Sequence, residues 1–288
     1  MAPVRDARGK VNLYLHVTGR RADGYHELDS LFVRTALADR LALAPADTDS
    51  LAVGGPFAPA LAGEAPDRNL AMRAVAAVRA HCGRGGPVAI TLEKNIPVAA
   101  GLGGGSADAA AALLAANSLL DAGLDEAALA RLAAGLGADV PACLHDMPLA
   151  VSGIGEHLVP LGALPSFALL LANPGVALVT ADVFAGRTGA WSPAMPMAAP
   201  RDLDALVAAL AARRNDLEAA AIALVPAVGA VLDALAGLPG ARLARMSGSG
   251  ATCFAVFADL AGAQAAQAVL HRARPHWWSA ATSVAGTR

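Results

Sequence analysis

Cysteine and clustered positive charge are both scarce in this 288-residue chain, and each shortage closes off a class of protein. Its three cysteines, Cys82, Cys143 and Cys253, are odd in number and contain no Cys-x-x-Cys pair, so neither a disulfide framework nor a zinc site is expected. Lysine and arginine number 22 against 24 aspartates and glutamates, with no dense basic run, so no nucleic-acid partner is expected. A hydrophobic content of 56% and a mean hydropathy of +0.48 come largely from alanine. The longest uncharged run, Leu158 to Ala181, is broken by Pro160, Pro165 and Pro174, which suits buried strands and turns better than a membrane span. The opening residues, Met1 to Asp6, lack the apolar core of a signal peptide. A cytoplasmic protein with no membrane partner is the expectation.

The densest signal is a glycine cluster: Pro97-Val98-Ala99-Ala100-Gly101-Leu102-Gly103-Gly104-Gly105-Ser106-Ala107. Glycines let the backbone approach a ligand closely and turn successive N–H groups toward it. The alanine-rich segment that follows favours a helix, whose N-terminus carries roughly half a unit of positive charge. Together these make an anion site, and the usual anion in a globular enzyme is a phosphate. Three familiar phosphate loops are excluded. No lysine follows the glycines as a Walker A loop requires, and Ser106 occupies the last position of a dinucleotide fingerprint begun at Gly101. The downstream His-Arg-Asp and Asp-Phe-Gly signatures of protein kinases are missing as well.

Around this loop the sequence predicts alternating elements. Val11, Leu13, Leu15 and Val17 lie on one face of a strand, with Lys10, Asn12, Tyr14 and His16 on the other. A second strand is expected near Leu28–Arg34, a helix capped by Asp67 running to about His81, and a strand Val88–Ile96 leading into the loop. A helix from Ser106 to about Gly123 follows, then one capped by Asp125 and ending near Gly135. The second half reads as strand 167–172, a proline-rich loop 186–200 and helices 201–213 and 216–235. Strand 251–257, helix 260–272 and strand 277–284 complete an α+β arrangement with an antiparallel sheet.

Three glycine-marked segments then stand out: Gly9-Lys10-Val11-Asn12, the loop 101–105, and Arg245-Met246-Ser247-Gly248-Ser249-Gly250-Ala251-Thr252. Together they resemble the three motifs of the GHMP kinases, which phosphorylate small molecules. Further stretches are similar to one branch of that superfamily, the 4-diphosphocytidyl-2-C-methyl-D-erythritol kinases. These are Gly19 to Leu28, with its Asp23-Gly24-Tyr25-His26 core, Leu136-Gly137-Ala138-Asp139-Val140-Pro141, Asn173-Pro174-Gly175 and Asn215-Asp216-Leu217. The resemblance covers about residues 9 to 257. It implies a ribosomal-protein-S5-like N-terminal domain and a ferredoxin-like C-terminal domain, here 1–155 and 156–288, with the active site in the cleft between them. It also implies transfer of the ATP γ-phosphoryl to the 2-hydroxyl of the methylerythritol moiety, in the non-mevalonate route to isoprenoid precursors. A homoserine- or mevalonate-type GHMP kinase, or a non-catalytic nucleotide-binding member of the fold, are the alternatives.

Residue roles follow from that resemblance. Spacing alone favours Asp139 as a helix N-cap, while the Gly137-to-Pro141 match implies the base that takes the acceptor hydroxyl's proton. Lys10 would be the cation beside it, offsetting charge on the transferring group. Tyr25, His26 and Phe184 would recognise cytosine, with Thr180 nearby and Asn12 at the methylerythritol end. Phe184 reads equally as a core residue from sequence alone. Residues 97–107 would hold the ATP phosphates, with Asn69 and Lys94 on the adenosine side and Mg²⁺ accompanying the nucleotide. His16, His81, His145 and His157 have no partner pattern and read as structural or surface residues. Two departures stand out: Ala107 replaces a serine common in the family loop, and Ser247 and Ser249 replace threonines. The sequence is equally compatible with a monomer and a homodimer.

Overall fold

The structure is a computed structural model and describes residues 4–287, so part of the N-terminal stretch read above lies outside it. In chain order the strands and helices are β1 Val4–Arg20, β2 His26–Pro45, β3 Ser50–Gly54, α1 Leu70–Cys82, β4 Val88–Glu93, α2 Gly104–Leu119 and α3 Glu126–Leu136. They continue with β5 Leu149–Gly153, β6 His157–Pro160, β7 Ala168–Asn173, α4 Thr180–Ala185, α5 Leu203–Ala211, α6 Glu218–Leu224 and α7 Ala227–Ala236. The chain ends with β8 Leu243–Met246, β9 Cys253–Phe257, α8 Leu260–Ala273 and β10 Trp278–Ser283. No described helix is long and apolar enough to cross a membrane, and no disulfide forms among the described residues.

Packing divides the chain into two compact units that interleave in sequence: residues 1–10, 37–98 and 103–145 in the first, and 11–36, 99–102 and 146–288 in the second. The segments 1–155 and 156–288 expected from sequence follow chain order, whereas these units divide β1 after Lys10, divide β2 after Ala36 and assign residues 99–102 of the glycine loop to the second.

In the first unit, Arg40–Pro45 of β2 pairs antiparallel with β4, and β3 pairs with β4 in parallel. Its core joins Leu41, Leu43, Ile90 and Leu92 from these strands to Val75 and Val78 of α1 and to the alanines of α2. Helix α2 buries Ala107, Ala109, Ala110, Ala111, Ala112, Ala115 and Ala116, so it is enclosed on nearly every side; such small side chains let neighbouring elements approach closely. Asp125 Oδ1 accepts the N–H of Ala128 at 2.7 Å, capping α3 as expected. The cap of α1 differs from the sequence expectation. Pro66 to Arg68 forms a 3₁₀ turn that carries the chain past Asp67, and Asn69 Oδ1 accepts the N–H of Ala71 at 3.0 Å instead.

In the second unit, Leu28–Phe32 of β2 pairs with β5, which pairs with β6. A separate antiparallel sheet has the order β10-β7-β9-β8, the arrangement of a ferredoxin-like fold. Its core runs through Ala168, Leu170 and Ala172 of β7, Val228 and Val231 of α7, and Leu270 of α8. The 216–235 region divides into α6 and α7 at Pro226, which serves as the N-cap residue of α7.

Candidate active site

Both faces of β1 are buried, which alternation alone did not foretell. Lys10, Asn12, Tyr14 and His16 are 6%, 1%, 1% and 3% exposed, so their polar atoms require partners inside the protein. Asn12 Nδ2 donates to Ser30 Oγ at 2.9 Å, and the Tyr14 hydroxyl donates to Asp29 Oδ1 at 2.9 Å. His16 Nε2 accepts the N–H of Arg214 at 3.2 Å, so this histidine is structural and wholly interior. Burial lowers its pKa, against the opposing pull of Asp216 and Asp29.

Within the first unit, Lys10 Nζ lies 3.1 Å from Asp139 Oδ2. The lysine side chain is 8% exposed and the carboxylate 39%, so the pair is buried on the cation's side and open on the anion's. Asp139 does not cap a helix. The short 3₁₀ turn Ala142–Leu144 begins after Pro141 and has no side-chain cap, leaving the Asp139 carboxylate for Lys10. Gly103 lies against the same lysine: it has φ +64°, and a Cβ there would come within 2.8 Å of Lys10 Cγ. Any larger residue would push the lysine stem away from the loop. Gly103 caps α2 without a side-chain bond, and the first intrahelical bond runs from Ala107 N to Gly103 O at 2.8 Å. The N–H groups of Gly104, Gly105 and Ser106 therefore precede the helical ladder, as an anion site requires.

Residues 99–102 of the loop pack within the second unit. Ala100 O accepts the N–H of Thr252 at 3.3 Å, and Gly101 O accepts the Ser247 hydroxyl at 3.4 Å. Gly101 has φ +78°, and a Cβ on it would lie 2.5 Å from Gly250 O, so the second and third glycine motifs meet backbone to backbone. Asn215 holds the third motif, its Nδ2 donating to Met246 O and Gly248 O, each at 2.8 Å. The Asn12 N–H donates to Ser247 Oγ at 3.2 Å, tying the first motif's end to the third.

The second unit also gathers the expected recognition residues. The His26 and Phe184 rings stack at 4.9 Å with an interplanar angle of 28°. Phe184 is therefore a ring partner of His26 as well as a member of the core beside α6 and α7. Burial lowers the His26 pKa, and Arg20 and Arg187 add to that, so the imidazole stays neutral to lower pH than an ordinary histidine. Thr180 opens α4, its hydroxyl 2.8 Å from that of Ser249. Tyr25 is 61% exposed, its ring available to a ligand. The sequence reading missed two neighbours. Trp191 lies 6.1 Å from His26, and the Arg187 guanidinium sits 4.6 Å above the indole. The proline-rich loop that carries Trp191 gives no periodic signal, although a tryptophan beside Gly189 and Pro193 is itself a conspicuous residue there.

Two expected nucleotide contacts look different in place. Asn69 is 9% exposed and its side chain caps α1. Lys94 is 3% exposed, and its ammonium is enclosed by Asp39 and Asp108 rather than presented to a ligand. Pro97 and Val98 follow this buried lysine, with Val98 37% exposed.

Comparison with known proteins shows the family. The GHMP kinases N terminal domain matches residues 69–147, and the GHMP kinases C terminal domain matches residues 198–276. The 4-diphosphocytidyl-2-C-methyl-D-erythritol kinase of Parvibaculum lavamentivorans is 49% identical over 289 residues, covering 99% of each chain. That of Paracoccus denitrificans is 51% identical, covering 97% of this chain and 96% of the relative. A crystal structure of a 4-(cytidine 5'-diphospho)-2C-methyl-D-erythritol kinase superimposes with a TM-score of 0.81 at 38% identity, over 99% of this chain and all of the other. The chain belongs to the GHMP kinases and, among them, to the family of 4-diphosphocytidyl-2-C-methyl-D-erythritol kinases.

Proposed function

We propose that this chain transfers the γ-phosphoryl group of ATP to the 2-hydroxyl of 4-diphosphocytidyl-2-C-methyl-D-erythritol, releasing ADP and the 2-phosphate. The observation that carries the mechanism is the Lys10–Asp139 pair beside Gly103. Phosphoryl transfer asks a protein for positioning and charge neutralisation more than for covalent chemistry. Asp139 orients the acceptor hydroxyl and takes its proton, while Lys10 fixes that carboxylate and offsets charge on the group in flight. The backbone donors that open α2 and the loop 97–107 cradle the phosphates. Ala107 removes one hydroxyl from that cradle but none of the backbone donors.

Tyr25 and Phe184 offer ring faces to the cytosine, His26 a hydrogen bond to its edge, and Thr180 and Asn12 polar contacts along the rest of the substrate. A Mg²⁺ ion bound with ATP would supply further neutralisation of phosphate charge beside the backbone donors of the loop 97–107. The enzyme works in the cytoplasm, where ATP is supplied.

A coupled ADP-release assay over a panel of alcohols tests the substrate assignment. Turnover is expected with the cytidine diphosphate ester, with homoserine and mevalonate at background. Turnover with either of those, and none with the ester, would move the chain to a sister activity. ATP binding without turnover on any alcohol would mark a non-catalytic member of the fold.

A further inference from the structure

Three charged side chains not used above are buried together in the first unit. Lys94 follows β4, Asp39 lies on β2 and Asp108 on α2, at 3%, 0% and 3% exposure. The Lys94 ammonium donates to Asp39 Oδ2 and, at 2.6 Å, to Asp108 Oδ2. Asp39 Oδ1 in turn accepts the backbone N–H groups of Asn95 at 2.5 Å and Ile96 at 2.8 Å. Gly104, the first residue of α2, packs so closely above that a Cβ there would lie 3.4 Å from Asp39 Oδ2. Asp108 Oδ1 is buried with no hydrogen-bond partner among the described residues.

The chain order of these contacts matters. Asn95 and Ile96 are the last residues before the loop 97–103, and Asp108 is the fifth residue of the helix that follows it. One ammonium therefore ties the loop's entrance to its exit. Burying three ions with one oxygen left unpaired is costly, and an apolar core of the same shape would be cheaper. Such a cluster also acts on charge close by. With both carboxylates ionised it carries a net negative charge beneath an anion site, and without Lys94 that charge doubles.

We propose that Lys94, Asp39 and Asp108 form a clamp that positions the phosphate loop and sets its affinity for nucleotide phosphates without touching them. The clamp rests on the kinase reading for its purpose, but nucleotide binding tests it without any alcohol substrate. These are positioning residues, and the charged groups facing Asp108 are Lys94 after β4 and Asp39 on β2. Burial raises the Asp108 carboxyl, with the Lys94 charge opposing and Asp39 reinforcing, to about 7. Burial alone would lower the Lys94 pKa, but the charges of Asp108 and Asp39 outweigh it and leave the ammonium's pKa raised. As pH rises through neutrality the clamp gains negative charge, and phosphate affinity falls.

The test is ADP affinity by calorimetry, from pH 6 to 8.5, for the wild type and for Asp108→Asn, Lys94→Met and Lys94→Arg, each checked for cooperative thermal unfolding. Lys94→Met is expected to weaken ADP binding on the order of tenfold or more, as a displaced loop does, and Lys94→Arg to recover part of the loss. Asp108→Asn, nearly isosteric, keeps the protein folded and removes the wild type's extra weakening above pH 7, leaving only the nucleotide's own titration. The KM for the alcohol stays within about threefold throughout, a change of well under 1 kcal/mol. Identical pH profiles for wild type and Asp108→Asn, or ADP and alcohol affinities falling together in a folded variant, would overturn the clamp. Failure of the alcohol panel above leaves this test intact.

Discussion

The two units solve different problems with different chemistry. In the first, charges are held by other charges: Lys10 by Asp139, beside the glycine loop, and Lys94 by Asp39 and Asp108, buried beneath it. In the second, the groups proposed to recognise a base are rings held by other rings and by one guanidinium: His26 on Phe184, and Trp191 beside His26 under Arg187. Ion pairs confine charge to a fixed point, which transferring a phosphoryl group demands. Ring faces tolerate small displacements and reward area, which suits selecting a planar base. Changes at Lys10 should therefore act on turnover, changes at the Lys94 cluster on nucleotide affinity, and changes in the second set on affinity for the alcohol substrate.

The largest effect that sharpens this contrast is Lys10→Met. Its kcat should fall at least ~10²-fold, with the KM for the alcohol nearly unchanged, as expected when a fixed charge near the reacting group is removed; steady-state kinetics at saturating ATP reads both. Phe184→Ala and Tyr25→Ala should do the reverse. Losing one stacking face removes roughly 1–3 kcal/mol, or about 5- to 150-fold in the KM for the cytidine ester, with kcat largely retained. Trp191→Ala should follow the same pattern more weakly, because the indole flanks His26 at 6.1 Å rather than stacking on it. A fall in kcat without a change in KM for any of these three would break the contrast.

Smaller still is Asn69→Ala. Loss of its cap on α1 should cost about 1 kcal/mol of stability, visible in the denaturation midpoint, with ADP affinity unchanged if the side chain does no more than cap. A separate effect, on stability and not on kinetics, is the pH dependence at Asp108. A carboxyl whose pKa is raised in the folded state favours folding most below its unfolded value and loses that contribution as pH rises toward about 7. Asp108→Asn should therefore gain thermal stability relative to wild type between pH 4 and about 7; a constant difference across that range would contradict the raised value.

The glycine loop, the helix behind it and strands β7, β9 and β10 were legible in the sequence because each depends on local chemistry: glycine spacing, alanine propensity and short apolar runs. Asp125 was readable as a cap because no competitor stood nearby. The cap of α1 was not, since Asp67 and Asn69 are two residues apart and the 3₁₀ turn begun by Pro66 decides between them. The length of β2 was hidden as well. Beyond Arg34 the strand continues to Pro45, where Asp39, Leu41 and Leu43 alternate with Arg40, Ala42 and Ala44, a pattern obscured by alanine on one face and a buried aspartate on the other. Small elements such as β3, β6 and β8 are defined by their pairing partners rather than by composition.

At the site, the family resemblance put Lys10 beside Asp139, whereas spacing alone could not join residues 129 positions apart. The Lys94 clamp was invisible for the same reason. Asp39 lies in no glycine motif, and the burial that makes Asp108 notable exists only once α2 is packed. Trp191 and Arg187 come from a loop whose course is set by its contacts.

The most direct test of the central assignment is the rate of ADP release with the cytidine diphosphate ester at saturating ATP, wild type against Asp139→Asn. Removal of the proton acceptor should lower kcat at least ~10²-fold while ADP binds as before. An unchanged kcat in a folded Asp139→Asn protein would show that the carboxylate beside Lys10 takes no part in the transfer.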